Sequence, residues 1–232
     1  MNRQSSKETV TKFLIGSVVH GTYKIGDRLP PERDLAINLG ISRIIVHSAI
    51  VELTAKGLLR IAPRKGVFIN DYKRFGGLEI VDLLLNDPAI MDMEVFSSIM
   101  KTRKLFETEF AGQAALNRKD ENLKRIVEII AKEKKAMKLD DITELDFSFH
   151  HEIAHASGNV IYPLIIMSIK DTYLILVKEF YGVIKDRTAV IASHEALYEA
   201  ILDQSDHAAR IIMTSLLDFG EAHMPENSGK IR

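Results

Sequence analysis

Two helical patterns separated by a three-residue turn restrict the fold of this chain more than any other feature. The first pattern begins at Pro30-Pro31 and ends at Leu39, and the second begins after Ser42. Gly40, in the turn, can adopt the left-handed conformation that ends a helix, and serine is favoured where a helix starts. Two helices joined by so short a connection indicate a helix-turn-helix.

The segments on either side extend this motif. Residues 6–19 have the periodicity of an amphipathic helix. The apolar side of that helix consists of Val10, Phe13, Leu14 and Val18. After the motif, strand-like runs at 58–61 and 67–70 flank the basic sequence Ala62-Pro63-Arg64-Lys65-Gly66. This arrangement predicts a β-hairpin with a basic tip, which is the wing of a winged helix-turn-helix.

Positive charge is concentrated in the same part of the chain. Residues 1–75 contain 13 lysines and arginines against 6 acidic residues, whereas the remainder contains 18 against 26. A basic front part favours contact with DNA phosphates, whose counterions are released on binding. The cations that the motif would bring to DNA are Arg33, Arg43, Arg64 and Lys65. We expect Arg28 and Lys56 to be solvated surface charges instead.

Composition excludes several classes of protein. The chain has no cysteine, which rules out a disulfide scaffold, a thiolate zinc finger and a cysteine nucleophile. Its first residues are polar and contain no apolar signal-peptide core. The most apolar stretch, 160–169, contains Pro163 and is shorter than the roughly 20 residues that span a bilayer. We therefore expect a soluble cytoplasmic protein with no membrane contact.

Breaks in the pattern divide the chain into domains. Lys73-Arg74-Phe75-Gly76-Gly77 follows the second strand-like run, and Asn86-Asp87-Pro88 is the next strong turn signal. The predicted divisions are a winged helix-turn-helix domain at 1–72, a linker at 73–90, a helical domain at 91–224 and a tail at 225–232.

The second domain predicts an all-α antiparallel bundle. Its turn signals separate six helical segments, and Asp141 with Glu144 matches a capping box at the start of the third. Neither a glycine-rich phosphate loop nor a G-x-S-x-G elbow is present in the sequence. The predicted fold class is therefore mainly α, with a winged helix-turn-helix followed by this bundle.

Histidines supply the candidate ligands of the bundle. Asp146 and His150 are four residues apart, so they share a helix face and could bind one metal ion with His194 from a later helix. Spacing alone favours a different interpretation, namely a surface pair and an isolated histidine. His151 and His155 form a competing pair on another face, which we expect to be exposed.

The front part resembles the GntR family of bacterial transcription regulators. The ordered positions that carry the resemblance are Gly21, Tyr23, Gly26, Arg28 to Ala36, Leu39 to Arg43, Leu53, Gly57 to Leu59 and Arg64 to Val67. The resemblance implies a homodimer on a palindromic operator in double-stranded DNA. It also implies that Arg33 and the Ser42-Arg43 pair lie at the DNA, with Gly66 at the wing tip near the minor groove.

Three positions depart from that family pattern. Ile44 and Ile45 stand where small polar residues or proline are usual, and His47 stands where arginine is usual. An aliphatic side chain can contact a thymine methyl group but cannot hydrogen-bond a phosphate. We expect an altered operator preference and weaker or pH-sensitive DNA binding through His47.

The back part resembles the FCD group of GntR regulators. The positions that carry this resemblance are Arg103, Glu107, Asp146, Phe149, His150, Ile153, Ala156 to Asn159, His194, Leu197, Ala200 and Ile201. The resemblance implies a divalent metal held by an aspartate and three histidines below an effector pocket. Asp146, His150 and His194 match three of these ligands, and zinc, nickel and manganese all suit such a donor set.

Three further residues bear on the implied metal and effector site. Leu216 falls on the fourth ligand position and cannot ligate, and His223 would need a register shift to replace it. Three ligands still leave an open site that water or an effector carboxylate completes. Arg103 matches a position that meets the effector's carboxylate, and the alternative for it is a helix salt bridge with Glu107.

The resulting hypothesis is a transcription regulator, more specifically a repressor, and not an enzyme. A small organic-acid or sugar-acid effector would bind the helical domain and change the affinity for the operator. Two alternatives remain open at this point. One is a metal-dependent hydrolase, in which an Asp/His-bound metal activates water. The other is a constitutive DNA binder with a degenerate effector pocket.

Overall fold

The apolar positions of the chain assemble into two separate cores, one in each of two units, Met1–Ile90 and Met91–Arg232. In this computed structural model the described residues are 3–77, 80–81, 93–184 and 187–224. Helices predominate in both units, which confirms the mainly α fold class. Among these residues no single helix is long and apolar enough to cross a membrane. Only the bent pair Glu32–Leu39 and Arg43–Ala55 meets that test, when its two helices are taken together.

The first unit consists of short helices and one hairpin. Its elements are α1 (Arg3–Val19), α2 (Glu32–Leu39), α3 (Arg43–Ala55), β1 (Leu59–Ala62), β2 (Gly66–Ile69) and α4 (Tyr72–Phe75). Helix α1 packs against α3 through Val10, Leu14, Val18, Val46, Ala49, Ile50 and Leu53. The prediction for Phe13 is wrong, because its side chain is 40% exposed while Ile15 is buried. The apolar stripe of α1 is therefore rotated toward Ile15.

The turn between α2 and α3 has the predicted conformation but lacks one predicted bond. Gly40 is left-handed (φ 63°), and the Ile41 N–H donates to the Ala36 carbonyl at 3.0 Å, which closes α2. Ser42 is the N-cap of α3, and its carbonyl accepts from Ile45 and Val46. Its hydroxyl makes no capping hydrogen bond, so it stays available to a partner outside the unit.

The predicted hairpin is present. Strands β1 and β2 pair antiparallel, with Leu59 opposite Ile69 and Ala62 opposite Gly66. The strand-like segment before α2 joins β2, because the Leu29 N–H donates to the Val67 carbonyl at 2.9 Å. Arg28 is exposed, yet its side chain lies against the wing. The Gly66 backbone has φ 116°, a conformation that other residues rarely adopt, so this position favours glycine.

Part of the predicted linker packs on the first unit. Residues 72–75 form α4, the Gly57 backbone lies against that of Phe75, and Ile80 is buried in the core that α1 and α3 share. Residues 82–90 of the predicted linker and the tail at 225–232 lie outside the described residues.

The second unit has seven helices in its described part, where six segments are predicted. They are α5 (Met93–Asn117), α6 (Asp120–Glu133), α7 (Leu139–Ala156), α8 (Tyr162–Met167), α9 (Lys170–Val183), α10 (Thr188–Leu202) and α11 (Asp206–Ala222). The difference arises between α8 and α9, where no glycine or proline marks a break. The Ser168 hydroxyl donates to the Ile165 carbonyl at 2.7 Å, a local bond of the kind that competes with helix continuation.

The predicted capping box on the third helix of the bundle is wrong. Helix α7 begins at Leu139, so Asp141 lies within its first turn and Lys138 is the N-cap. The half-buried Leu139 packs against the core, which extends the helix beyond the polar signal. Acidic residues in a first turn still complement the helix dipole. Helix α5 packs against α7, α10 and α11, and α7 also packs against α6, α8 and α9, so these two helices form the centre of the bundle.

Candidate functional site

The first candidate site is an exposed surface of the N-terminal unit, which we call the recognition surface. It comprises Arg33, Ser42, Arg43, Ile44, His47, Arg64, Lys65 and Gly66. All are exposed except Gly66, which is half-buried at the hairpin turn. Arg43, Ile44 and His47 lie on the outer side of α3, since Val46, Ala49 and Ile50 occupy its inner side. The exposed side of α3 is therefore free to enter a groove.

The Glu32 carboxylate contacts two exposed polar side chains of α3. Glu32, at the start of α2, accepts from Arg43 Nε at 3.2 Å, and its other oxygen lies 2.8 Å from His47 Nδ1. The hydrogen bond with His47 lowers the pKa of Glu32 most; burial opposes this shift and Arg43 reinforces it. Arg43 is thus held by α2 while its side chain remains 71% exposed.

The wing tip presents two cations without an ion-pair partner among those that the structure describes. Arg64 has a left-handed backbone (φ 63°), and the Lys65 N–H donates to the Ala62 carbonyl at 3.0 Å across the turn. By contrast, Lys56 is paired with Glu52 at 2.9 Å. The tip is the part of the hairpin that is most available to a phosphate.

The second candidate site is a buried group of three potential ligands in the C-terminal unit, which we call the ligand cluster. Asp146 and His150 come from adjacent turns of α7, and His194 comes from α10. Each residue offers one ligand atom, and these atoms lie within 4.8 Å of one another. All three side chains are buried, so the spacing reflects an interior site and not a surface pair.

His194 has one satisfied and one unsatisfied ring nitrogen. Its Nδ1 lies 3.0 Å from Glu133 Oε2 at the end of α6, and its ring stacks on Phe149. Its Nε2 is buried and has no hydrogen-bond partner among the described residues. Metal-ligating histidines typically donate their other ring N–H to a carboxylate, and an unsatisfied buried nitrogen calls for a missing partner. The histidine therefore fits a metal ligand.

His150 is tied to the candidate effector residue through a carboxylate. Glu107 contacts His150 Nδ1 with one oxygen and accepts from Arg103 Nε at 2.6 Å with the other. Burial would raise the pKa of Glu107, but Arg103 and then His150 outweigh it and lower that pKa to about 2. The Arg103 guanidinium also lies over the Tyr173 ring, 4.3 Å from its centre.

Two tyrosines hold Asp146. The hydroxyls of Tyr173 and Tyr181 each donate to one Asp146 oxygen at 2.6 Å. Burial, followed by the charge of Asp146, raises the pKa of both phenols, which therefore remain protonated donors. Each carboxylate oxygen retains a second lone pair that a metal ion could use. The donor set, one carboxylate oxygen and two imidazole nitrogens, is a common one for zinc and related ions.

A cavity opens beside the ligand cluster. Arg103, Asp146 and His150 form part of its wall, and the rest is largely apolar. The cavity volume is about 50 Å³, so it holds a small ligand or the end of a larger one that extends through the opening to solvent.

The other residues predicted for this site differ in their distance from the cavity and in their burial. Leu216 lines the cavity, whereas His223 is exposed and its Nδ1 lies 2.9 Å from the Phe219 carbonyl. The prediction that His151 is exposed is wrong, because the ring packs against Phe147 and is half-buried. Burial and the charge of His155 lower the pKa of His151. Arg103 forms the salt bridge with Glu107 and also lines the cavity, so its two predicted roles are compatible.

Sequence reasoning missed Glu133, Tyr173 and Tyr181. Glu133 is 61 residues from His194, and the tyrosines are 27 and 35 residues from Asp146. No spacing rule links positions on different helices. The tendency of ligand histidines to pair with a carboxylate predicts that a partner for His194 exists, without identifying it.

Comparison with family models matches both units. Residues 7–69 match the model described as bacterial regulatory proteins, gntR family, and residues 98–219 match the FCD domain model. The second match alone covers more than half of the chain.

Individual relatives are more distant. The chain is 22% identical over 194 residues to a fatty acid metabolism regulator protein of Proteus mirabilis, covering 84% of this chain and 80% of the relative. A protein of the same name from Escherichia fergusonii is 26% identical over 197 residues, with 84% and 81% covered.

Solved structures show the same fold. Lar, described as controlling the expression of the Listeria monocytogenes agr system and mediating virulence, has a TM-score of 0.65 at 18% identity, with 94% of this chain and 95% of that one covered. E. coli McbR/YncC has a TM-score of 0.53 at 18% identity over the same shares.

Proposed function

This chain belongs to the GntR family of bacterial regulatory proteins and carries an FCD domain, and from that premise we propose that it is a homodimeric repressor released by a carboxylate effector. The family makes it a DNA-binding transcription regulator and not an enzyme, so the hydrolase alternative is set aside. The observation that supports the proposed control is the ligand cluster beside a cavity that also contains Arg103.

DNA binding is assigned to the recognition surface. Arg43 reads a guanine edge from the start of α3, and Ile44 contacts a thymine methyl group. Arg33, Arg64 and Lys65 neutralise phosphates, and Gly66 lets the wing approach the minor groove. The Ser42 hydroxyl, which caps no helix amide, donates to a phosphate. His47 occupies the position where the family pattern has arginine, and Glu32 holds its ring through Nδ1.

Metal binding is assigned to Asp146, His150 and His194. The unpartnered His194 Nε2 and the carboxylates behind both histidines support this assignment. Zinc, nickel or manganese would supply a Lewis-acid centre for an anionic ligand. Glu107 and Glu133 orient the two rings, and Tyr173 and Tyr181 hold the aspartate, so the site is pre-organised by the chain itself.

The effector is a small organic acid, a class that includes sugar acids. Arg103 is buried, and Glu107 and Tyr173 fix its position at the cavity wall. A guanidinium held in this way suits a carboxylate, which it can bind through two parallel hydrogen bonds. Such a cavity also argues against a constitutive DNA binder with a degenerate pocket.

Control of the operator follows from dimer geometry. Two recognition helices must lie about 34–36 Å apart to enter successive major grooves of a palindromic site. An effector that binds one arrangement of the dimer more tightly shifts the population toward it. Effector binding in the FCD domain is proposed to favour an arrangement that does not fit the operator, which relieves repression.

Metal content after purification tests the site. His194→Ala should lower bound zinc, measured by plasma mass spectrometry after loading and desalting, because it removes one of three ligands. His223→Ala is the matched control, since that exposed histidine lies outside the ligand cluster. Equal zinc in the His194→Ala variant and the parent protein would contradict the assignment.

A further inference from the structure

The walls of the cavity beside the ligand cluster restrict the chemistry of the effector. Here we rely on the proposed function, in which this cavity holds a carboxylate. The apolar part of the wall includes Phe96, Leu176, Phe180, Val190, Leu216 and Leu217. None of these side chains can donate or accept a hydrogen bond. Polar groups on a ligand that faced this wall would lose water without gaining a partner.

Charged side chains gather at one place on the wall. Arg103, Asp146 and His150 belong to a single network, in which Glu107 joins the arginine to the histidine and Tyr173 contacts both the arginine and the aspartate. The Asp146 oxygens already accept from two hydroxyls. Among the described residues that line the cavity, the Arg103 guanidinium is the group best suited to one anionic group of a ligand.

Leu216 extends the apolar wall to the cluster. It lines the same cavity as Asp146 and His150, at the position where the family resemblance places a fourth ligand. Because leucine cannot ligate, a metal ion held by Asp146, His150 and His194 would keep an open position for the carboxylate head of the effector, and an apolar side chain would face the effector's body.

We infer that the effector is a monocarboxylic acid with an apolar aliphatic or aromatic body, and not a polyhydroxylated sugar acid. The carboxylate binds at Arg103 and the ligand cluster, and the body lies against the apolar wall. Each hydroxyl that is buried there without a partner weakens binding by roughly tenfold or more. A second carboxylate at the far end of the molecule would be disfavoured for the same reason.

Isothermal titration of the zinc-loaded full-length protein tests this inference. The probes are butyrate, octanoate and phenylacetate, compared with gluconate and glucuronate. At least one apolar acid should bind roughly tenfold or more tightly than either sugar acid. Octanamide, which lacks the carboxylate, should bind much more weakly than octanoate.

The outcomes separate the inference from the proposed function. Tighter binding of a sugar acid than of every apolar acid would overturn the inference and leave the carboxylate site intact. Equal binding of octanamide and octanoate would overturn the carboxylate anchor of the proposed function. No binding of any acid, with or without zinc, would contradict both.

A variant of the wall provides a second test. Val190→Thr replaces a methyl group with a hydroxyl at nearly constant volume, so the affinity for the best apolar acid should fall by roughly threefold or more. Val10→Thr, at an equally buried position in the first unit, is the control and should leave that affinity unchanged. An unchanged affinity in a folded Val190→Thr protein would contradict the placement of the apolar body.

Discussion

The two candidate sites hold their charges in opposite ways. On the recognition surface, Arg43 is 71% exposed and is paired with one carboxylate that it shares with His47. In the ligand cluster, Asp146, His150 and His194 are buried, and each is held by residues of other helices. Exposed charges can exchange their partner for a phosphate at little cost, whereas a buried charge tolerates no loss of its partner. The first arrangement suits reversible docking, and the second suits a fixed binding site.

The largest effect is expected for Glu107→Ala. This substitution removes the carboxylate that Arg103 and His150 Nδ1 share. Because it leaves a buried charge without its partner, it should lower the free energy of unfolding by about 3–5 kcal/mol. Urea titration followed by tyrosine fluorescence measures it. Glu52→Ala, which breaks partly exposed pairs with Lys7 and Lys56, should cost about 1 kcal/mol or less. Similar losses in the two variants would contradict the expected difference between buried and partly exposed ion pairs.

Glu133→Gln tests whether the carboxylate that contacts His194 Nδ1 increases the affinity for the metal. Residues that orient a ligand histidine typically contribute 10–100-fold to metal affinity, so zinc binding should weaken by about that factor. Competition with a chromophoric chelator measures the affinity. Glu128→Gln, an exposed position on the same helix, is the control and should bind zinc like the parent. Unchanged affinity in the Glu133 variant would show that the contact only supports packing.

On the recognition surface, Arg43→Ala should weaken binding to a selected operator by about 1–3 kcal/mol and relax base preference at one position of each half-site. Fluorescence anisotropy with a set of single-base operator variants measures both effects. Arg125→Ala, which removes a surface cation from the helical domain, should leave the operator profile unchanged. An intact preference in the Arg43 variant would contradict its role in base reading.

The smallest effect is expected for Glu32→Gln. Because His47 and Arg43 lower the pKa of Glu32 against the opposing effect of burial, its pairs stabilise the fold above the ordinary carboxylate pKa. That contribution disappears as the pH falls through the lowered pKa. The variant should therefore lose up to about 1 kcal/mol at neutral pH and nothing in acid, measured by thermal unfolding across a pH series.

Glu128→Gln is the control for this series. Glu128 is exposed and lies in the middle of α6, away from its first turn, so removal of its charge should change stability little at any pH. An equal loss in the Glu32→Gln variant at acidic and neutral pH would indicate a packing effect and not the loss of a charge.

The same contrast explains what the sequence predicts. Gly40 and Ser42 specify a local turn, and the recognition surface follows from contiguous residues that a single motif positions. Asp146 and His150 are also related by local spacing, but His194 joins them only through the packing of α10 on the bundle. From the sequence, only the family resemblance assigns His194 to the same site as Asp146 and His150.

The errors have the same origin. Asp141 and Glu144 match a capping box, yet the packing of Leu139 against the core extends α7 beyond them. Glu133 and Tyr181 reach the ligand cluster from helices whose neighbours are set by the whole fold. Sequence periodicity reports which face of a helix is apolar and does not report which helix covers it.

Operator binding by the zinc-loaded, full-length protein, measured by anisotropy with and without a saturating carboxylic acid that binds the cavity, tests the central claim most directly. The account predicts salt-dependent binding that the acid weakens by roughly 5–150-fold, the usual range for coupling between two sites. Saturation of the cavity with no change in operator affinity would contradict it.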